Sequence, residues 1–348
     1  MCRMAAHKNL SSVFCHLSSE MNITILGAGA WGTALAINLS ARHRVTLWAR
    51  DAAQADAMRA SRCNQRYLPE IPLPPELNLT ADMQAACASA EFILVAVPIA
   101  ALRATLLQIV TVSRPTPVVW ACKGFEANTS QLPHQVAAEA LPQGFPRGVL
   151  SGPSFALEVA RGLPTALTLA SSDGEFAGRA AQWLHHARLR IYSSTDVMGV
   201  EVGGAVKNVL AIAAGIAEGM GFGHNARAAL ITRGLAEMTR LGLKMGGCAE
   251  TLGGLSGAGD LILTCTGDLS RNRQVGRLLA QQQALPDILR QLGHVAEGVY
   301  TVREVHQLAQ RLGVDMPICA AVYRVLYEQI PAASAVEDLL NRASSAEF

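Results

Sequence analysis

The sequence predicts a mixed α/β domain built on a doubly wound, mostly parallel sheet, followed by an all-α domain. Three observations carry that expectation. Apolar runs of strand length alternate with helical patterns over the first half of the chain. A glycine-rich turn joins the first of these runs to the first helix. From about Asp196 the strand-like runs stop, and long Ala-, Leu- and Gly-rich helical patterns continue to the end. The expected organisation is a disordered extension over residues 1–20, a sheet domain over 21–194 and a helical domain over 195–348. A chain of 348 residues is long enough to bury two cores of this kind.

The polar, serine-rich stretch from Met1 to Glu20 lacks the apolar centre of a signal peptide, and Met21 is an alternative natural start. Asn22-Ile23-Thr24-Ile25-Leu26 then reads as a buried strand that breaks into Gly27-Ala28-Gly29-Ala30-Trp31-Gly32 and resumes as a helix through Thr33–Ile37. This is G-x-G-x-x-G in its confirming context, a strand before and a helix after. Gly27 permits the tight turn, Gly29 admits phosphates against the main chain, and Gly32 allows close helix–strand packing. Val45–Trp48 completes a βαβ unit, so the first domain is of the Rossmann, dinucleotide-binding type.

Phe92–Val97 reads as the next parallel strand, ended by Pro98, with a helix over Ala100–Val110 behind it. Val118–Cys122 follows and delivers Lys123-Gly124 into a loop, and Gly148–Ser151 stops in the turn Gly152-Pro153-Ser154. Ala166–Ala170 and Leu189–Tyr192 add two further strands. In such sheets ligands bind beyond the carboxyl ends of the strands, where the loops at Gly27–Gly32, Lys123 and Gly152–Ser154 all fall.

Composition narrows the function classes. Half of the residues are hydrophobic and 16% are charged, as in a well-buried globular protein. A net charge of +2 without a long basic run argues against a nucleic-acid or membrane surface. The longest uncharged run near Val209–Ala217 is too short to span a bilayer, so no membrane insertion is expected. Eight cysteines without C-x-x-C spacing argue for buried thiols in a reducing cytoplasm and against disulfides or zinc. The nine histidines are equally dispersed, and no metal site is expected.

Four places in the helical half and its approach carry chemistry. Gly203-Gly204-Ala205-Val206-Lys207-Asn208 opens a helix that runs on to Gly215, and its interior glycines suggest close approach of some group. Lys207 either snorkels to solvent or is an ammonium near a substrate carbonyl, where desolvation lowers its pKa towards the working range. Gly257-Ala258-Gly259-Asp260 sets a carboxylate in a glycine turn at a helix start, where it could cap the helix, serve a site, or both. Ser270-Arg271-Asn272 could surround a phosphate or form an ordinary solvated turn. Glu297-Gly298 says little alone.

Taken in order, these motifs resemble the bacterial NAD(P)-dependent glycerol-3-phosphate dehydrogenases nearly end to end from Met21. The resemblance is carried by the glycine loop with Trp31, Trp120–Gly124, Ser151–Ala156, the Gly204–Gly215 lysine helix, Gly259-Asp260-Leu261, Ser270-Arg271-Asn272 and Glu297-Gly298. Residues 1–20 have no counterpart in the family pattern. The resemblance implies reversible reduction of dihydroxyacetone phosphate to sn-glycerol 3-phosphate, which supplies the backbone of phospholipids. It implies Lys207 as general acid and base, Asp260 as its orienting partner, and Lys123 on both cofactor and substrate. Ser270, Arg271 and Asn272 would hold the phosphate, while Gly152 and Ser154 line the substrate side. Gly27, Gly29, Ala30, Trp31, Gly32, Arg50, Ala156, Val295 and Glu297 would contact the cofactor, with Lys123 and Arg271 reaching it too.

The cofactor choice can be argued from the end of the second strand. An NAD-selective site places an acid about 20 residues beyond the loop. Here Trp48-Ala49 hold that position and Arg50 follows, which suits a ribose 2′-phosphate, although Asp51 could pair with Arg50 or turn inward. NADPH is therefore expected to be accepted and preferred, with NADH usable. The rival enzyme class is a 3-hydroxyacid or ketopantoate-type dehydrogenase, and the rival outside catalysis is an NAD(P) sensor. The Ser270-Arg271-Asn272 turn argues against the first, and the joint presence of Lys207, Asp260 and Lys123 against the second. A homodimer is expected, each alanine-rich helix burying a face against a copy of itself.

Overall fold

The computed structural model describes residues 20–293 and 296–341. The expected disordered extension therefore lies outside the described residues except for Glu20, which pairs with Arg44 at 3.2 Å, and the cofactor position Val295 lies outside them as well.

The first half alternates as its apolar runs predict. It begins β1 (Asn22–Leu26), α1 (Ala30–Leu39), β2 (Arg44–Trp48) and α2 (Ala52–Ser61). A short hairpin, β3 (Cys63–Asn64) and β4 (Leu68–Pro72), precedes β5 (Asn78–Thr80) and α3 (Met83–Cys87). Then come β6 (Phe92–Val95), α4 (Ile99–Val112), β7 (Val118–Trp120) and α5 (Pro133–Ala140). The half closes with β8 (Arg147–Ser151), α6 (Ala156–Ala160), β9 (Thr165–Ala170), α7 (Gly174–Leu184) and β10 (Leu189–Ser194).

Eight of these strands form one sheet in the order β10-β9-β8-β7-β6-β1-β2-β5. All neighbours are parallel except β8 and β9. The chain winds outward in both directions from β1 and β6, whose carboxyl ends are level because Leu26 faces both Trp48 and Val95. That switch point is where a doubly wound sheet opens a crevice. Strand β6 shows why the central strands read as unbroken apolar runs. Phe92 and Leu94 enter the core on one face, Ile93 and Val95 the core on the other, and all four are buried.

The hairpin and β5 are additions to the sequence expectation. β3 has only two residues, and Pro69 and Pro72 remove ladder donors from β4, so a propensity reading passes over both. The apolar side chains of Leu68 and Ile71 nevertheless seat the hairpin on α1 and α6, against Ala34, Val159 and Ala160.

From Val197 the described residues are helical: α8 (Val197–Gly219), α9 (His224–Lys244) and α10 (Ala249–Gly253) lead to a π-helical turn at Leu255–Gly259. Then follow α11 (Asp260–Thr266), α12 (Arg271–Ala280), α13 (Leu285–Leu292), α14 (Glu297–Leu312), α15 (Pro317–Tyr327) and α16 (Ala332–Leu340). Helix α8 is the axis on which α9, α10, α11, α12, α14 and α15 pack. It has 23 residues and a window of mean hydropathy 1.5, long and apolar enough to cross a bilayer, yet that window is 100% buried within the protein. A helix apolar on all sides is a core helix when other helices enclose it.

Candidate active site

Gly27 and Gly32 have the backbone geometry and close packing read from them. Gly27 has φ +118°, and a Cβ there would lie 2.6 Å from the Ala96 carbonyl oxygen. A Cβ at Gly32 would lie 1.9 Å from the Gly27 carbonyl oxygen, so α1 starts hard against the loop. Gly29 differs: a Cβ there would meet nothing within 4 Å. No side chain caps α1 and no acid sits in its first turn. The loop thus leaves an uncovered cradle at a helix N-terminus, which fits a pyrophosphate. Ala30, Trp31 and Ala156 line the cleft beside it. Arg50, just beyond β2, is exposed and has no ion-pair partner among the described residues. Asp51 turns to α2, accepting from the Ala53 N–H at 2.9 Å, so it does not neutralise Arg50.

The sheet and helical halves together wall a cleft of about 520 Å³. Lys123, leaving β7, and Lys207, on α8, converge there on one carboxylate. Lys207 Nζ lies 3.0 Å from Asp260 Oδ1, and Lys123 Nζ 2.5 Å from Asp260 Oδ2. Asp260 is 1% exposed and Lys207 9%, which excludes the snorkelling alternative for the lysine. The carboxylate does not cap α11: Asp260 is that helix's first residue, following the π-helical turn, and its side chain is spent on the two ammoniums. An acid in the first turn also suits the helix dipole.

Lys207 Nζ donates as well to Thr264 Oγ1 at 2.8 Å, and that hydroxyl donates to the Asp260 carbonyl at 2.7 Å. Thr264, one turn along α11 from Asp260, was not singled out from sequence. Nothing local marks it, because the contact forms only when α8 and α11 pack. Lys123 Nζ also reaches the Gly152 carbonyl at 3.4 Å, and Ser154 Oγ donates to the same oxygen at 3.2 Å. Gly152 therefore stands behind Lys123, while Ser154 lines the cleft.

Burial sets the electrostatics. It pushes the Lys207 ammonium below the usual lysine range, with the Asp260 charge opposing. Burial alone would raise the Asp260 carboxyl, but the Lys123 and Lys207 charges outweigh it and hold the group below its ordinary value. Glu297, in the first turn of α14, lines the cleft, and burial raises its pKa against the pull of Lys207, Lys123 and Arg271.

The interior glycines of α8 admit the protein's own groups. A Cβ at Gly203 would lie 2.5 Å from the Ser256 carbonyl oxygen, and one at Gly204 would lie 3.5 Å from the stem of Lys123. At Gly215 the approaching group is the Arg273 carbonyl oxygen, 2.0 Å away. The glycines thus let the π-helical turn, Lys123 and α12 close on the lysine helix.

Ser270, Arg271 and Asn272 come to the cleft at the start of α12. Ser270 is the helix cap, accepting from the Arg273 N–H at 3.3 Å. Arg271 is exposed and has no ion-pair partner among the described residues. Asn272 is already engaged: its Nδ2 donates to Asn208 Oδ1 at 2.9 Å and its Oδ1 accepts from the Gly298 N–H at 3.0 Å. Tyr67–Glu70 of the hairpin, which the sequence does not single out, also line the cleft, as does Phe155, which lies in the Ser151–Ala156 motif but is given no role there.

So arranged, the cleft can take a dinucleotide along the glycine loop and present a carbonyl or alcohol to Lys207. This is the working arrangement of a nicotinamide-dependent oxidoreductase. Comparison with known proteins narrows the class. The family descriptions "NAD-dependent glycerol-3-phosphate dehydrogenase N-terminus" and "C-terminus" match residues 22–177 and 196–337. The chain belongs to that family. It is 60% identical to glycerol-3-phosphate dehydrogenase [NAD(P)+] of Nitrosomonas eutropha, over 94% of this chain and 99% of the relative. The enzyme of that name from Thiobacillus denitrificans is also 60% identical, over 94% and 100% of the two chains. The crystal structure of glycerol-3-phosphate dehydrogenase from Coxiella burnetii superposes with a TM-score of 0.89 at 43% identity, covering 93% and 99%.

Proposed function

We propose that this protein catalyses the reversible NAD(P)H-dependent reduction of dihydroxyacetone phosphate to sn-glycerol 3-phosphate, and so supplies the backbone of phospholipids. One observation carries the mechanism: a buried ammonium, Lys207, held 3.0 Å from a buried carboxylate on the wall of the interdomain cleft. When bound, the nicotinamide supplies a hydride to C2 of the ketone.

Lys207 donates a proton to the C2 oxygen as negative charge develops there, and takes it back in the reverse reaction. Its lowered pKa supports this role, since proton transfer is easiest near the working pH. Asp260 fixes the direction of Lys207 and, with Thr264, occupies two of its three N–H donors, leaving one for substrate. Lys123 adds a second positive charge beside the developing alkoxide. Arg271, the Ser270 hydroxyl and the N–H groups at the start of α12 receive the phosphate. Asn272 acts mainly by pinning α12 to α8 and α14, because its Oδ1 and one N–H are already committed.

Arg50 would meet the 2′-phosphate of NADPH, a role supported by Asp51 being committed to α2. A non-catalytic sensor would have no use for this cluster of charges. Exposed apolar side chains on the helical half, among them Leu243 and Tyr300, support the homodimer. The six described cysteines are free thiols and five of them are buried, which supports a cytoplasmic setting.

The test is NADPH absorbance with and without dihydroxyacetone phosphate. Oxidation that requires the ketone is the expected result, and none would favour the sensor. In Lys207→Ala, NADPH binding should persist while turnover falls by orders of magnitude; wild-type kinetics would overturn the mechanism.

A further inference from the structure

We propose that Asn64 and Gln54 are positioning residues for the dinucleotide pyrophosphate, acting through the single peptide plane that joins Ala28 to Gly29. The inference rests on the dinucleotide reading given above and extends it to two residues of the hairpin and α2. The carbonyl oxygen of Ala28 accepts two side-chain amides, Gln54 Nε2 at 2.9 Å and Asn64 Nδ2 at 3.0 Å. Both lone pairs of that oxygen are thereby used. A trans peptide is planar, so its carbonyl and the following N–H point in opposite directions. Holding the Ala28 carbonyl towards α2 and the hairpin turns the Gly29 N–H the other way. At the uncapped start of α1 that N–H donates to no group among the described residues, and a Cβ on Gly29 would meet nothing within 4 Å.

Asn64 spends its whole donor capacity on this loop. Its Nδ2 also donates to Thr33 Oγ1 at 2.8 Å, so it grips both the turn and the helix that follows. Its Oδ1 is buried without a partner. Exchanging oxygen and nitrogen would set two acceptors face to face at Ala28, so the orientation is dictated by the loop and not by the needs of Asn64. Asn64 is 1% exposed and pairs with Leu68 across the hairpin, whose Tyr67–Glu70 segment walls the cleft. The hairpin therefore joins the aim of the phosphate-facing N–H to the shape of the cleft wall.

Asn64→Ala and Gln54→Ala test this by calorimetric titration with NADPH and, separately, with adenosine 2′-phosphate, which lacks the pyrophosphate. The expected result is a rise in NADPH Kd on the order of tenfold for Asn64→Ala and severalfold for Gln54→Ala. The Kd for adenosine 2′-phosphate should stay within about twofold, and KM for NADPH should rise with little change in kcat. Gln54 is part-exposed on α2, so its variant carries the test if Asn64→Ala does not fold. NADPH affinity unchanged in both variants, or equal weakening of both ligands, would overturn the inference and leave the dinucleotide reading intact. A wild-type protein that does not bind NADPH would overturn both.

Discussion

Alanine at Gly215 should destabilise the protein although alanine is the better helix former. Gly215 lies inside α8, where the substitution on its own would gain about 1 kcal/mol. Its Cβ, however, would sit 2.0 Å from the Arg273 carbonyl oxygen and 3.0 Å from the Arg277 nitrogen, both backbone atoms of α12. Ordinary contact begins near 3.4 Å, so the two helices would have to part by roughly 1.4 Å. They cannot do so freely, because a Cβ at Gly276 on the facing helix would itself be 2.1 Å from the Ile212 carbonyl oxygen. Overpacking of this kind costs about 1–3 kcal/mol, and the severity of the overlap points to the upper end. After the helix-propensity gain, a net loss of about 2 kcal/mol is expected.

Gly178→Ala supplies the control. Gly178 lies inside α7 with nothing within 4 Å of its Cβ position, so the same change should stabilise by about 0.5–1 kcal/mol. Urea unfolding followed by circular dichroism measures both. Because α12 begins with Arg271, the Gly215 variant should also raise KM for dihydroxyacetone phosphate. A Gly215→Ala midpoint at or above wild type would refute the reasoning, for then the helices yield without cost.

Three further outcomes are expected. In Asp260→Asn the charge that keeps Lys207 protonated is lost while its burial stays, so the lysine pKa falls further. Ketone reduction needs the protonated amine, hence its alkaline limb should move to lower pH, and a limb that stays put or moves upward would count against Lys207 as the acid. Arg50→Ala should cut kcat/KM for NADPH about tenfold and leave NADH nearly untouched, as steady-state assays with each cofactor would reveal. Arg271→Ala should raise KM for dihydroxyacetone phosphate about tenfold or more with a smaller change in kcat; unaltered KM would remove the residue from the phosphate site.

What the sequence discloses is governed by range. The turn at Gly27–Gly32 was legible because strand, glycines and helix are contiguous, and the apolar runs of β1, β6 and β7 announce strands buried on both faces. Lys207 was legible as an anomaly, a charge in an otherwise apolar helix, but its surroundings were not. Thr264 is 57 residues away, so that contact exists only after α8 and α11 pack, and Asp260's second ammonium is 137 away, so that pair exists only after the two halves meet. The hairpin was missed for a local reason, prolines at two positions of β4, and with it went Asn64 and the cleft wall. At Leu255–Gly259 a glycine-rich segment reads as a turn, whereas packing against Gly203 draws it into a π-helical turn that ends at Asp260.

The enclosure of the apolar stretch of α8 bears on how activity should fade with heat. Amide deuteration in that segment must wait for the most costly opening the helical half can undergo, so its protons should be the last exchanged. The ammonium it carries then keeps its bearing for as long as the surrounding half stays folded. Thermal inactivation and the loss of helical ellipticity should accordingly coincide, without a warm, folded species in which the Lys207 ammonium has drifted out of line.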